Sequence, residues 1–310
     1  MVARHEKAVR RGLLIWYGQL TTSRRLALRG AALAAVPGAW LLVFLIMPLT
    51  AMVAVAFAGR GSYGEVVWTL STGNFRRLAG FGVLGWSADY LLILGRSCWV
   101  ALVTTVLSLL LAYPLAFFIA ARPRRTRYLW LAAVIIPFCT NLVVRTYAWM
   151  LLLSSQSPLA RLAAAVGLTD PGSALYPSRA AVYVGMVGSF LPFAVLPLYT
   201  SVERLDWSVV EAAQDLYASR LRVFLQAILP QTLPGLTVAL ILTFIPAMGA
   251  FVVPDLLGGA RYMLVGNLIQ QQFGSSRDWP FGAAVSLGLM LLTLAGLFIL
   301  RRRGTAGGAA

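Results

Sequence analysis

Histidine, lysine and carboxylates are nearly missing from this 310-residue sequence. His5 is its one histidine and Lys7 its one lysine, and ten acidic residues stand against 26 basic ones. A single histidine in a basic tail excludes His-based metal centres and His-dependent catalytic triads. Neither an HExxH nor a GxSxG pattern occurs, which removes two further hydrolase signatures. Lys7 follows Glu6, so no phosphate-cradling loop of the Walker A type exists, and any ATP that drives this protein is bound elsewhere. Cys98 and Cys139, the two cysteines, both fall in apolar stretches and read as small packing residues, not disulfide or metal ligands.

Charge is scarce in general. Only 12% of residues are charged while 59% are apolar, against about 25% charged in soluble domains. Such a chain cannot cover a water-facing surface, and its mean hydropathy of +0.79 agrees. The net charge of +16 then fits a membrane protein with basic flanks. Nucleic-acid binding would need those charges gathered on one soluble domain.

Six apolar stretches run between charged residues, long enough or nearly so to cross a hydrocarbon core of about 30 Å. They predict spans at about 31–57, 97–121, 128–153, 180–202, 235–254 and 279–300. Backbone in lipid must satisfy its own hydrogen bonds, and the period-2 pattern of a barrel is missing, so the spans are expected to be helices. The expected fold is an all-α membrane protein with six transmembrane helices, residues 30–300 forming the membrane domain.

Basic residues orient it. Seven lie in the N-terminal segment 1–29, four at Arg122, Arg124, Arg125 and Arg127, three at Arg204, Arg220 and Arg222, and three at Arg301 to Arg303 in the tail 301–310. All of these are on one side if the spans alternate, and the positive-inside rule makes that side cytoplasmic, with both termini inside. The first apolar run is too long for a signal-peptide core of about 7 to 15 residues and reads as a retained helix. Leu13 to Leu20 fits an interfacial helix or a basic tail equally well.

The inner loop 203–234 has the look of a lever. Ser208-Val209-Val210-Glu211 is a capping-box pattern for a helix start, and Ala212 and Ala213 permit close approach by another surface. Leu221, Phe224, Leu225 and Ile228 share one face of a second helix. Pro230 and Pro234 punctuate the start of the fifth span.

Glu211-Ala212-Ala213 followed by Leu229-Pro230 resembles the EAA loop of ABC importer permeases. The resemblance extends through Ile136-Pro137-Phe138, Asn141, Arg145-Thr146-Tyr147, Leu191-Pro192-Phe193 and Pro197-Leu198-Tyr199. It continues in Pro246 to Gly249, Asp255 to Gly259, Gly266-Asn267 and Arg277 to Ala284. Together these are similar to the first permease subunit of bacterial spermidine/putrescine importers, over roughly Ser97 to Leu300. The resemblance implies a type I ABC importer permease fold in the bacterial inner membrane. It implies a non-catalytic subunit with no cofactor of its own, ATP and Mg being held by a partner ATPase dimer. A second related permease and an extracytoplasmic solute-binding protein complete the implied assembly. Glu211, Ala212, Ala213, Asp215, Tyr217, Ala218, Ser219, Leu229 and Pro230 are then the ATPase-coupling residues. Other small solutes, such as organophosphonates or iron, remain alternatives, as does a stand-alone ion-coupled transporter. The lack of a mid-span carboxylate weakens the latter.

Two departures from the family pattern stand out. Tyr217 occupies the usual glycine position, so the turn is expected to shift to neighbouring residues. Ala227 stands where isoleucine is usual, with Ile228 beside it.

A polyamine path calls for carboxylates and aromatic faces. Asp255, Asp278, Tyr147, Trp149 and Tyr183 are the candidates near outer span ends, with Asp255 foremost. Its alternative roles are capping the next turn or pairing with Arg261. Arg145, inside the third span, is awkward beside a cation; near the span's outer third it can snorkel, and it reads as a structural pairing, toward the second permease, and not as a solute contact.

Overall fold

A computed structural model describes residues 24–82, 85–170, 172–259 and 262–306. The chain divides into two compact units, residues 1–55 and 56–310. The proposed interfacial segment Leu13 to Leu20 lies outside the described residues.

The first unit holds one long helix, α1 (Arg24–Ala56), which contains Pro37 and Pro48. The Thr50 hydroxyl donates to the Ile46 and Met47 carbonyls, both at 2.9 Å. Side chains from Trp40 to Met47 are exposed on every face. A helix that is apolar all round and bare belongs in lipid.

The second unit opens with two short antiparallel hairpins, β1 (Gly59–Arg60) with β2 (Val66–Val67) and β3 (Phe81–Gly82) with β4 (Gly85–Trp86). Helix α2 (Gly73–Leu78) stands between the hairpins. Helices then follow in order: α3 (Asp89–Ala120), α4 (Arg124–Phe138), α5 (Leu142–Leu152), α6 (Pro158–Ala165) and α7 (Arg179–Glu203). After them come α8 (Trp207–Asp215), α9 (Arg220–Val223), a π-helical turn at Phe224–Ile228, α10 (Leu229–Met248), α11 (Val252–Gly258), α12 (Val265–Phe273) and α13 (Trp279–Ala306). Among the described residues five helical stretches are long and apolar enough to cross a membrane, six if the bent pair α4–α5 counts as one.

Helices α3, α7 and α10 form the core. Buried positions on α3 are Ser97, Val100, Ala101, Thr104, Thr105, Ser108, Ala112, Ala116 and Ile119, a stripe of mostly small residues at helical spacing. Small residues let helix backbones approach closely where lipid supplies no hydrophobic drive. At Gly235 a Cβ would stand 2.0 Å from the Ser201 Oγ and 2.7 Å from the Pro197 carbonyl oxygen, so only glycine allows α10 to lie this close to α7.

Three expected spans differ from the structure. The second begins earlier, at Asp89. The third is not one helix: α4 and α5 meet at 94°. Asn141 caps α5 by accepting from the Val143 N–H at 2.8 Å. Arg145 reaches back, its Nη1 donating to the carbonyls of Pro137 (3.1 Å) and Phe138 (3.3 Å). The Thr140 hydroxyl also donates to the Pro137 carbonyl at 2.6 Å, so the last carbonyls of α4 are satisfied by side chains that follow it. The fifth span starts at Arg220, not at residue 235, and the expected loop 203–234 shrinks to 204–219. Pro230 and Pro234 lie inside this helix. Proline lacks the N–H and its ring crowds the carbonyl four residues back; for Pro230 that residue is Gln226, inside the widened π turn at Phe224–Ile228, which absorbs the conflict.

Candidate coupling and translocation sites

The loop between α7 and α10 is built on a small core of Leu205, Val210, Val223 and Ala227, with Ala213 and Ala218 packed against it. Asp206, not Ser208, caps α8. Its Oδ1 accepts from the Ser208 hydroxyl (2.7 Å) and the Ser208 N–H (3.0 Å), which hold the Asp206 carboxyl below the ordinary carboxylate range. The expected Ser208–Glu211 capping box therefore does not form. Glu211 stands exposed with Ala212 and Asp215, and no capping duty accounts for its charge.

The turn after α8 stays where the family's glycine would place it, contrary to the expected shift. The Ala218 N–H donates to the Ala213 carbonyl (3.2 Å) and the Tyr217 N–H to that of Gln214 (2.9 Å). This is a Schellman closure, whose hinge residue is left-handed. Tyr217 has φ +56° and its side chain is 98% exposed. Ser219 then caps α9, accepting from the Arg222 N–H at 3.4 Å. Leu229 and Pro230 form the first turn of α10.

Two fastenings that sequence reasoning missed hold this loop. The Arg127 Nη1 donates to Glu203 Oε1 at 2.6 Å, and its Nη2 to the Ala120 carbonyl at 2.7 Å. The Asp206 N–H donates to Gln231 Oε1 at 2.9 Å. In sequence Arg127 is one basic residue among several, and its partner is 76 positions away, beyond the reach of any spacing rule.

The candidates for a solute path do not converge on one site. Asp278 is buried, 2% exposed, and fully engaged. Arg77 donates to its Oδ2 at 2.7 Å, Arg60 lies 3.8 Å from the same oxygen, and the Phe281 N–H donates to its Oδ1 at 3.2 Å. The Arg77 guanidinium also stacks over Phe281, 4.0 Å from the ring centroid. Asp278 is a structural anchor at the start of α13, both its oxygens already engaged. Arg60 and Arg77 are further residues that sequence reasoning passed over.

Asp255 is not at the end of the fifth span but on the separate helix α11, where it is exposed. It rims a pocket of ≈ 290 Å³ with Tyr262, Asn267, Gln270 and Gln271. The proposed partner Arg261 lies outside the described residues. Trp149 and Tyr183 line a different space, an apolar cleft of ≈ 790 Å³ with Pro137, Phe138 and Leu191. Tyr147 is half exposed on α5. Arg145 is engaged through Nη1 by the carbonyls of α4, while its buried Nε has no hydrogen-bond partner among the described residues.

These features, a helical membrane core around a loop rooted in two spans, define an importer permease. Residues 112–302 match the family described as "Binding-protein-dependent transport system inner membrane component", and the chain belongs to it. Among its relatives, the spermidine/putrescine transport system permease protein PotB of Escherichia coli (strain K12) is 40% identical over 261 residues, 82% of this chain and 92% of the relative. PotB of Haemophilus influenzae is 36% identical over 263 residues, 85% of this chain and 90% of that protein. A solved bacterial alginate ABC transporter, in complex with its alginate pentasaccharide-bound periplasmic protein, superposes with TM-score 0.60 at 15% identity. That match covers 92% of this chain and 95% of the other. The fold is that of a type I ABC importer permease, and the protein is a multi-pass inner-membrane permease subunit.

Proposed function

We propose that this permease imports polyamines such as spermidine and putrescine, forming half of a path whose other half is a second related permease. A solute-binding protein delivers the cation from outside. A dimeric ATPase carrying ATP and Mg docks on the loop 204–219 from the cytoplasm, where both termini also lie. The chain itself performs no chemistry. Polyamine cargo is supported by the PotB relatives and by the exposed carboxylate of Asp255 beside three carboxamide side chains. Asp255 is the proposed first contact of the path. Trp149 and Tyr183, which line the separate apolar cleft, are proposed as further contacts, with Tyr147 on the same helix as Trp149.

The observation that carries coupling is Glu211, an exposed carboxylate on a rigid short helix that no cap or ion pair among the described residues explains. Its proposed role, shared with Ala212, Ala213, Asp215 and the turn Tyr217-Ala218-Ser219, is to enter a groove of the ATPase and pair with a basic residue there. Reconstitution with the ATPase, second permease and binding protein tests this. Spermidine uptake into proteoliposomes that requires ATP and is competed by putrescine is expected. Uptake by the lone chain on an ion gradient would contradict it.

A further inference from the structure

Arg127 occupies an unusual junction. Its guanidinium joins the end of α3, the start of α4 and the end of α7, through Ala120 O (2.7 Å), Arg122 O (3.3 Å) and Glu203 Oε1 (2.6 Å). The open carbonyls at a helix C-terminus attract a cation, which explains its two backbone contacts. Glu203 is the last residue of α7, where a carboxylate opposes the helix dipole. Arg127 compensates that charge. The Tyr199 hydroxyl adjoins both partners.

Three residues separate Glu203 from α8. Within them Leu205 is buried, 6% exposed, and the Asp206 N–H is tied to Gln231 on α10. Polar contacts therefore tie the loop at two points, to α10 through Gln231 and to α3 and α4 through the Glu203–Arg127 pair, while Phe117 of α3 packs against its apolar core. Beneath the second point lies a cavity of ≈ 340 Å³, lined by Phe117, Ala121, Val202 and Trp207. The joint itself is polar and borders this cavity, while Tyr199 and Val202 just before it share a buried cluster with Ala116 and Ile119 of α3.

We propose that the Arg127–Glu203 pair is the joint that passes displacement of α8 to α3 and α4, making both positioning residues for transport. The inference rests on the coupling role of α8 given above. Without the pair, α8 still holds the ATPase and still pulls α10, but the start of α4 follows less fully. ATP is hydrolysed without a matching solute movement.

The test uses the full assembly in proteoliposomes and reads ATPase retention, ATP hydrolysis and radiolabelled spermidine uptake together. Arg127→Met is expected to keep the ATPase bound and hydrolysis running while uptake per ATP falls about tenfold, within the usual range for coupling between sites. Glu203→Gln, which preserves shape and folding, is expected to show a smaller fall. The exchanged pair Arg127→Glu with Glu203→Arg recovers part of the ratio, because the ion pair returns without the carbonyl contacts. Uptake per ATP at the wild-type level in both single variants would overturn the proposal. So would loss of the ATPase from the Glu203→Gln assembly, which would make the pair mere support. Glu211→Lys separates the two readings: it is expected to shed the ATPase. Full assembly and uptake in that variant would overturn the coupling role of α8 and this inference with it.

Discussion

The carboxylate of Asp278 and the guanidinium of Arg77, 201 positions apart, meet at 2.7 Å. This contact and the longer one to Arg60 fasten the α2–hairpin segment to the start of α13. Asp278→Asn is expected to destabilise the protein by about 1–2 kcal/mol, less than the 3–5 typical of a fully buried pair because both arginines are part-exposed. Thermal unfolding in detergent reads the loss. The KM for spermidine is expected to stay unchanged in reconstituted uptake, since both carboxylate oxygens are engaged within the chain; a raised KM would return Asp278 to the path.

Tyr217 carries a left-handed backbone, and its ring is 98% exposed among the described residues. Tyr217→Gly is expected to stabilise the loop by about 1 kcal/mol, and Tyr217→Ala to give no such gain because its Cβ remains. Thermal unfolding distinguishes the two, and retention of the ATPase is expected to be intact or stronger in the glycine variant.

Asp206 links the loop to pH. Its folded pKa is lowered from 3.8 by the hydrogen bonds from Ser208, first the hydroxyl and then the N–H. A group whose folded pKa is depressed stabilises above its unfolded pKa and loses that contribution as pH falls through the folded one. Exchange protection of the Ser208 amide is thus expected to hold across neutral pH and to fade only below about pH 4. Asp206→Asn keeps the cap but removes this pH dependence.

Gly235 sets the distance between α7 and α10. Gly235→Val places carbon where the Ser201 hydroxyl and the Pro197 carbonyl already lie, and overpacking of this kind costs about 1–3 kcal/mol. Lowered thermal stability is expected, while Gly249→Ala, with no atom closer than 4.0 Å to the added Cβ, serves as the mild control.

Much of this architecture could be read from residue patterns. The apolar runs located the helices because lipid allows few alternatives, and the EAA resemblance located the loop. Failures came where a local rule met a stronger neighbour. Pro230 and Pro234 suggested a helix start, but a π turn before Pro230 joins Arg220–Val223 to the helix that contains both prolines. The run 128–153 has no charge before Arg145, yet it bends by 94°, because Asn141 and Arg145 satisfy the exposed ends. Ser208 fits a capping box, but Asp206 two residues earlier is the better acceptor and takes the position. Asp278 looked available to a cation, and only the folded chain shows Arg60 and Arg77 occupying it. The Arg127–Glu203 joint was illegible, since neither residue stands out until three helix ends meet.

The docking of the ATPase on the exposed face of α8 is the claim on which transport rests. Labelling of Ala212→Cys with a membrane-impermeant maleimide, in a background without Cys98 and Cys139, tests it most directly. Reaction only from the cytoplasmic side of membrane vesicles, and protection once the ATPase is bound, is the expected result. Reaction from the opposite side, or labelling that the bound ATPase leaves unchanged, would contradict it.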